Sequence, residues 1–451
     1  MKTWNRFLAF MLALMLFTVI NACKKDSPAV IVPETKIYSL TSAGSWKIAS
    51  TPLRFQESLL TNDISYGYNR AKFSWYTIDP LFYEKTSSLR PANITNEDIS
   101  SDDCRNIFEA ELFPSKYPPT APPVFFATFN LDFYPSERGP WNFDTDPSVF
   151  SSGIDYDGKL NNPSSRWGGI MHILDAVKFE INYLDFWMPD PFTTSPDANG
   201  ELYINLGDIS EDVLRDGLIS AENTTDGDVT ETAWGKVWPL STTYAFASLG
   251  TDKGLDELNN AEEDDYFRNY LEKVQSICSS EAYQAFSNDP SGDNYHYFRG
   301  GDYDDMNYKV RQRYKNYDGD DQNSTQQSES YPTISASYPD GEDLNRNNIL
   351  ETGNNYFEYK ISINKDVFFL GTNYITDVFQ GAEATMPDGS RRSSLFYHFR
   401  IPLKDFTGQF GTPSLSGNQK TLRLYLTGFA TPVNLRLINF EASEEIIDSQ
   451  H

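Results

Sequence analysis

In the stretch Phe125-Phe126-Ala127-Thr128-Phe129-Asn130-Leu131-Asp132-Phe133, apolar Phe125, Ala127, Phe129, Leu131 and Phe133 are spaced two apart around polar Thr128, Asn130 and Asp132. Successive side chains of a pleated strand point to opposite faces, so this spacing predicts a half-buried β-strand. The same period recurs outward. Val177, Phe179, Ile181 and Tyr183 alternate with Lys178, Glu180 and Asn182, and Leu202, Ile204 and Leu206 with Tyr203 and Asn205. Further strands are predicted at 357–363, 395–403, 422–426 and 433–437. The short connection from Gly428 to Pro432 suits an antiparallel pairing of the last two.

Many short strands separated by Gly, Pro, Asn and Asp turns predict a mainly β fold, a jelly-roll or galactose-binding-like β-sandwich. Two smaller β-domains are the alternative. From about Thr251 to Ser330 the period breaks into acidic, Asn/Gly-rich sequence with a predicted helix over 260–277 and a polar, disordered-looking stretch over 318–330. This reads as an acidic, partly helical insertion. The 451 residues carry 37 Lys and Arg against 64 Asp and Glu, a net charge of −27. So acidic a body repels polyphosphates, which argues against nucleic acid as a partner.

The first residues read as an address. Lys2 and Arg6 precede an apolar run from Phe7 to Ile20, too short for a bilayer core, which needs about twenty residues. The junction Asn21-Ala22-Cys23 resembles the lipobox of bacterial lipoproteins, and that resemblance implies acylation of Cys23; an ordinary cleaved secretory signal is the alternative. Two or more acyl chains give stable membrane attachment. The expected organisation is a signal peptide (1–22), lipid anchor and tether (23–62), a β-rich domain in two parts (63–250 and 331–443), the insertion (251–330) and a tail (444–451). Cys104 and Cys278 either form one disulfide or remain two core thiols.

From Tyr68-Asn69-Arg70-Ala71-Lys72-Phe73-Ser74-Trp75-Tyr76 onward, through Ile78-Asp79-Pro80-Leu81-Phe82, the chain resembles the SprA family of gliding-motility and type IX secretion proteins. Leu131 to Pro140, Arg166 to Met171, Phe186 to Phe192 and Leu202 to Gly217 follow in the family's order. Phe396 to Leu403, Leu424 to Phe429 and Leu435 to Leu437 are similar to its closing strands. The resemblance implies the family's N-terminal motility/secretion domain. Family members are very large outer-membrane barrels, and this length does not supply dozens of ten-residue spans, so channel activity is not expected here. The expectation is a lipid-anchored outer-membrane protein of the cell surface, non-enzymatic, contacting proteins of the secretion and gliding apparatus. A surface carbohydrate-binding β-sandwich is the alternative.

Asp343, Asn345, Asn347, Ile349 and Glu351 stand at alternate positions of a loop whose oxygens suit a hard cation, with Ile349 offering its carbonyl, so structural calcium is a candidate cofactor. Asn348 stands where the sharp turn favours Gly, and Asn354 where a bidentate Glu would close the shell. A solvated Asn/Asp turn is the competing reading. Asp252, Gly254, Asp256, Asn259, Glu262 and Glu263 form a second acidic loop at the entry of the predicted helix, with Asp252, Asp256 and Glu262 the weaker calcium candidate; carboxylates there also favour the helix dipole. Trp75, Trp141, Trp167, Trp187, Trp234 and Trp238 are read mainly as core, with sugar stacking the lesser use. The scattered histidines form no metal pair at helical spacing, and no nucleophile elbow or phosphate loop occurs.

Overall fold

The period-two segments become antiparallel strands of two facing sheets. The structure, a computed structural model, describes residues 36–117, 122–175, 181–222, 229–237, 253–318, 340–417 and 419–443. In chain order its strands begin with β1 (Ile37–Ser39), β2 (Lys47–Ile48), β3 (Ala71–Tyr76), β4 (Thr128–Arg138), β5 (Trp167–Asp175), β6 (Tyr183–Pro189) and β7 (Gly200–Asp208). There follow β8 (Thr230–Glu231), β9 (Lys236–Val237), β10 (Asn355–Ile363), β11 (Ile375–Gln380), β12 (Ala384–Thr385) and β13 (Arg391–Arg392). The last are β14 (Leu395–Pro402), β15 (Gly408–Phe410), β16 (Gln419–Thr427) and β17 (Val433–Ser443). One sheet runs β11-β14-β6-β17-β4-β3 with β1 added on β17, and the other runs β15-β10-β7-β16-β5-β2.

Directly paired residues share a face, so register decides what meets the core. Leu422, Leu424 and Leu426 lie opposite Leu206, Ile204 and Leu202, and Leu435 and Leu437 opposite Leu131 and Phe129. All are buried in one continuous apolar cluster between the sheets. Burial of each such side chain contributes about 1.5–3 kcal/mol. The fold is therefore a mainly β sandwich, as the alternation predicts.

Three expectations change. The expected pairing of 422–426 with 433–437 does not form, because β16 pairs with β5 and β7 whereas β17 pairs with β4 and β6 in the other sheet. The connection crosses the sandwich, and its Phe429 is fully buried against Phe133 at 6.1 Å. A short span fits a hairpin or an inter-sheet corner equally; the buried ring selects the corner.

Residues 37–62, assigned to the tether from their mixed composition, belong to the folded body. β1 pairs with the end of β17, Ile37 facing Ser443, and β2 pairs with β5. Trp46 is fully buried, donates from Nε1 to Leu40 O at 3.0 Å and stacks near Phe129 at 5.6 Å and Phe440 at 6.0 Å.

The predicted helix over 260–277 is two helices. After the short α1 (Glu109–Leu112) come α2 (Asn260–Tyr266) and α3 (Arg268–Ile277), then α4 (Ser280–Ser287), α5 (Gly301–Asp305) and α6 (Val310–Tyr314). The break is Phe267, which leaves helical geometry and packs its ring 4.3 Å from Phe143. Phe267, Tyr270, Leu271 and Val274 join the main core, so the acidic insertion is part of the packed body. Cys104 and Cys278 are buried free thiols. Cys23, the stretch 319–330 and much of the strand expected from Val177 lie outside the described residues; the described strand starts at Tyr183.

Trp46→Ala is expected to lower stability by about 3–5 kcal/mol, read by urea denaturation. A change under about 1 kcal/mol would place residue 46 in a tether after all.

Candidate functional site

β7 and β10 are antiparallel with Asp208 opposite Asn355, so the segment leaving β7 and the loop entering β10 lie at the same end of the sheet. Glu211 N donates to Glu351 O at 2.8 Å across that junction. This juxtaposition assembles an acidic site from 211–216 and 342–351.

The candidate loop Asp343–Glu351 forms a tight Asn/Asp turn. Asp343 Oδ1 accepts Asn347 N at 3.0 Å and Oδ2 accepts Asn348 N at 2.7 Å. Asn345 Oδ1 accepts Asn347 N at 3.0 Å, and Asn347 Oδ1 accepts Ile349 N at 2.7 Å. Asn348, standing where Gly was wanted, adopts φ 62°, which Asn tolerates better than most residues. Asn347 Nδ2 donates to Glu351 Oε1 at 2.7 Å. The Asp343 carboxylate thus braces its own loop, and Glu351 is the loop's carboxylate with capacity left over. Ile349 exposes its side chain.

Sequence reasoning missed Glu211. It is only 1% exposed, and its carboxylate lies within hydrogen-bond reach of that of Glu351. Burial, then Glu351 and Asp343, push its pKa up to about 9. Glu351 shifts the other way: burial opposes ionisation, but hydrogen bonds with Glu211, Asn347 and Asn345 outweigh it. The two carboxylates therefore shift in opposite directions. Nothing in the local pattern around residue 211 indicates this; only the β7–β10 register does.

Immediately beside it, one oxygen each of Asp212, Asp216 and Glu342 lie within 4.8 Å of one another. Asp212 and Glu342 already have donors on both oxygens, whereas Asp216 Oδ1 accepts Leu218 N at 2.9 Å and its Oδ2 is buried without a donor among the described residues. Buried Glu342 accepts Val213 N at 2.6 Å, Leu214 N at 2.9 Å and Ser220 N at 2.9 Å. Asp212 accepts Asp216 N at 3.1 Å and Gly217 N at 3.2 Å.

The second calcium candidate is only partly assembled. Asp256 meets Glu263 and Asp293, all three buried, with oxygens within 4.8 Å. Glu262 turns away to cap Asn259 N at 3.1 Å and to pair with Lys236 at 3.4 Å and Lys253 at 3.6 Å; Asp252 lies outside the described residues. The helical period places 262 and 263 about 100° apart, and the buried face takes Glu263. Asp256 accepts Ser291 Oγ at 2.5 Å and Leu258 N at 3.0 Å, Glu263 accepts Ser291 N at 2.9 Å, and Asp293 accepts Trp141 Nε1 at 3.0 Å. Burial raises Asp256 to about 7 and Glu263 to about 9. Asp293 is raised well above its ordinary value by burial and then by Asp256 and Glu263.

Trp75, Trp141, Trp167 and Trp234 are fully buried. Trp187 is half-buried, stacked on His398 at 4.6 Å and edge-on to Phe113 at 6.5 Å; Trp238 lies outside the described residues. Among the described residues, the β10–β11 loop exposes Val367, Phe369 and Leu370 close together in the chain. It is a fixed shape. Thr372 Oγ1 donates to Val367 O at 2.6 Å and Phe369 O at 2.7 Å, and Asn373 holds Ser362 N at 2.9 Å and Ser362 O at 2.6 Å.

Residues 269–444 match the family model SprA_N, described as motility related/secretion protein. Over those residues the chain is similar to the family that the motifs resemble. The matched residues hold β10 to β17, which pair with β4, β5, β6 and β7 from the preceding half. The earlier motifs are thus folded into the same two sheets. No curated protein matches the chain. Among the described residues, no helix is long and apolar enough to cross a membrane.

The buried carboxylates give stability a definite pH dependence. Asp256 and Glu263 hold protons in the folded state well above their ordinary values of 3.8 and 4.5. Their stabilising protonation is complete below about pH 4 and is lost as pH rises through about 7 to 9. Urea-denaturation stability is expected to fall from about pH 6 to pH 9, and Asp256→Asn to flatten that fall; equal slopes for the two proteins would contradict the assignment.

Proposed function

We propose that this protein is a non-enzymatic, lipid-anchored component of the outer-membrane surface that contacts proteins of the type IX secretion and gliding apparatus. The observation that carries the reading is the motility/secretion domain match over 269–444. Two features support it. The leader ends at Cys23 in a lipobox-like junction, a position from which acyl chains would hold the body at a membrane. The pinned loop with Val367, Phe369 and Leu370 exposed lies inside the matched residues, and an apolar patch held in one shape binds a partner at low entropic cost.

Tagged full-length protein purified from cells is expected to bring down secretion or gliding components. A Phe369→Ala/Leu370→Ala double variant should lose at least tenfold in recovery, about 1.4 kcal/mol or more of binding energy. Repeated recovery of none of them, with normal secretion in a deletion strain, would refute the reading.

The anchor has a separate test. Cys23→Ala should move the protein from the membrane to the soluble fraction. Unchanged membrane retention would exclude lipidation at Cys23.

A further inference from the structure

The acidic groups of this molecule divide by whether their oxygens already have donors. Asp212, Glu342, Asp256, Glu263 and Asp293 receive backbone N–H, hydroxyl or indole donors. Such carboxylates brace turns and need no further ligand. In the Glu211–Glu351 pair both partners keep a buried oxygen without a donor, whereas in the neighbouring Asp212–Asp216–Glu342 cluster only Asp216 Oδ2 does. Glu211 Oε2 and Glu351 Oε2 are both buried, and no donor reaches either among the described residues. Glu211 is nearly inaccessible and is aimed at the Asp343–Glu351 loop, where its neighbours are Glu351 and Asp343. Two carboxylates pressed together away from water repel strongly unless a proton or a cation lies between them.

We infer that Glu211 and Glu351 form a calcium-type divalent-cation site, with the loop Asp343–Glu351 as its wall and Glu211 supplying the carboxylate that the loop lacks at Asn354. The loop alone resembles an incomplete calcium loop, because a bidentate acid is missing at its end. Asn354 is engaged elsewhere, since its Oδ1 accepts Ser210 N at 3.4 Å, which ties the loop to the residue preceding Glu211. The missing acid arrives from β7 across the sheet. The free hard oxygens are those of Glu211 and Glu351, with Asn345 and Asn347 both bonded to Glu351 and holding it in place. Calcium is the cation to test first because the loop pattern is that of a calcium loop. The inference does not depend on the proposed role in secretion.

The test uses the full chain, first stripped with chelator and then given CaCl₂ alone, against NaCl of equal ionic strength to remove general screening of the acidic surface. A site of the extracellular class, with Kd of about 10⁻⁴–10⁻³ M, should raise Tm by about 2 °C or more at 10–20 mM calcium. Glu211→Gln should abolish the rise, and Asp256→Asn should keep it. Asn347→Ala changes an exposed side chain that bonds Glu351, so it tests the same site if Glu211→Gln does not fold; it should weaken the calcium response several-fold. Either no calcium-specific rise in the parent protein or an undiminished rise in both site variants would overturn the inference. A Glu211→Gln protein at least as stable as the parent, with neither responding to calcium, would assign a shared proton to the pair.

Discussion

Buried arginines on the outward faces of both sheets need partners, and this constraint shapes everything outside the sandwich core. A two-layer sandwich with period-two strands ordinarily leaves its outer faces to water. Here Asn130, Asp132, Asn434 and Arg436 on one sheet, and Asn205, Glu358 and Arg423 on the other, are themselves buried. An unpaired buried charge is strongly destabilising, so covering chain must bring hydrogen bonds with it. Arg436 donates to Asn130 Oδ1 at 3.1 Å, Asp102 O at 2.7 Å and Arg105 O at 2.8 Å. Arg105 in turn holds Glu111 through two 2.8 Å bonds. On the other sheet Arg423 bonds Asn205 Oδ1 at 2.7 Å and Ser50 O at 3.1 Å.

The same principle explains why the acidic insertion is integral. Arg311 from α6 reaches Asp132 at 2.7 Å, and Tyr76 Oη donates to the other oxygen of that carboxylate at 2.6 Å. Tyr76 also stacks on Tyr314 at 4.2 Å. The insertion and the segment after β3 therefore share a small aromatic core of their own, with Phe82, Phe298 and Tyr317. In the main sandwich, buried Arg166 pairs with buried Asp144 at 2.7 Å and bonds Asn161, Gly153 and Tyr68 carbonyls, tying three loops together. The Arg166-Trp167 motif is thus a loop anchor; its indole packs inside the body beside Arg70 at 5.6 Å.

Acidic side chains follow two designs at the ends of the strands. Most act as acceptors for loop N–H groups, which lets tight turns form without solvent. Glu211 and Glu351 each keep a buried oxygen without a donor among the described residues, as does Asp216. The family match covers β10 to β17, which pair within each sheet with strands that precede the match, so the site at 211 and 351 needs residues from inside and outside the match.

Much was legible in the sequence wherever one strand's side chains report one strand's environment. The alternation around 129–133, 202–206, 357–363 and 395–403 identified β4, β7, β10 and β14 and the sandwich class, because a period of two is a local property of the chain. The Asp343 loop was equally legible, since its donors lie within nine residues of one another. Pairing was not. The crossing of the chain at Phe429 and the docking of Trp46 depend on which apolar faces meet, and many faces share one pattern. Glu211 reaches Glu351 only because β7 and β10 run antiparallel in one register, a fact carried by the packing of two distant strands and by neither strand alone.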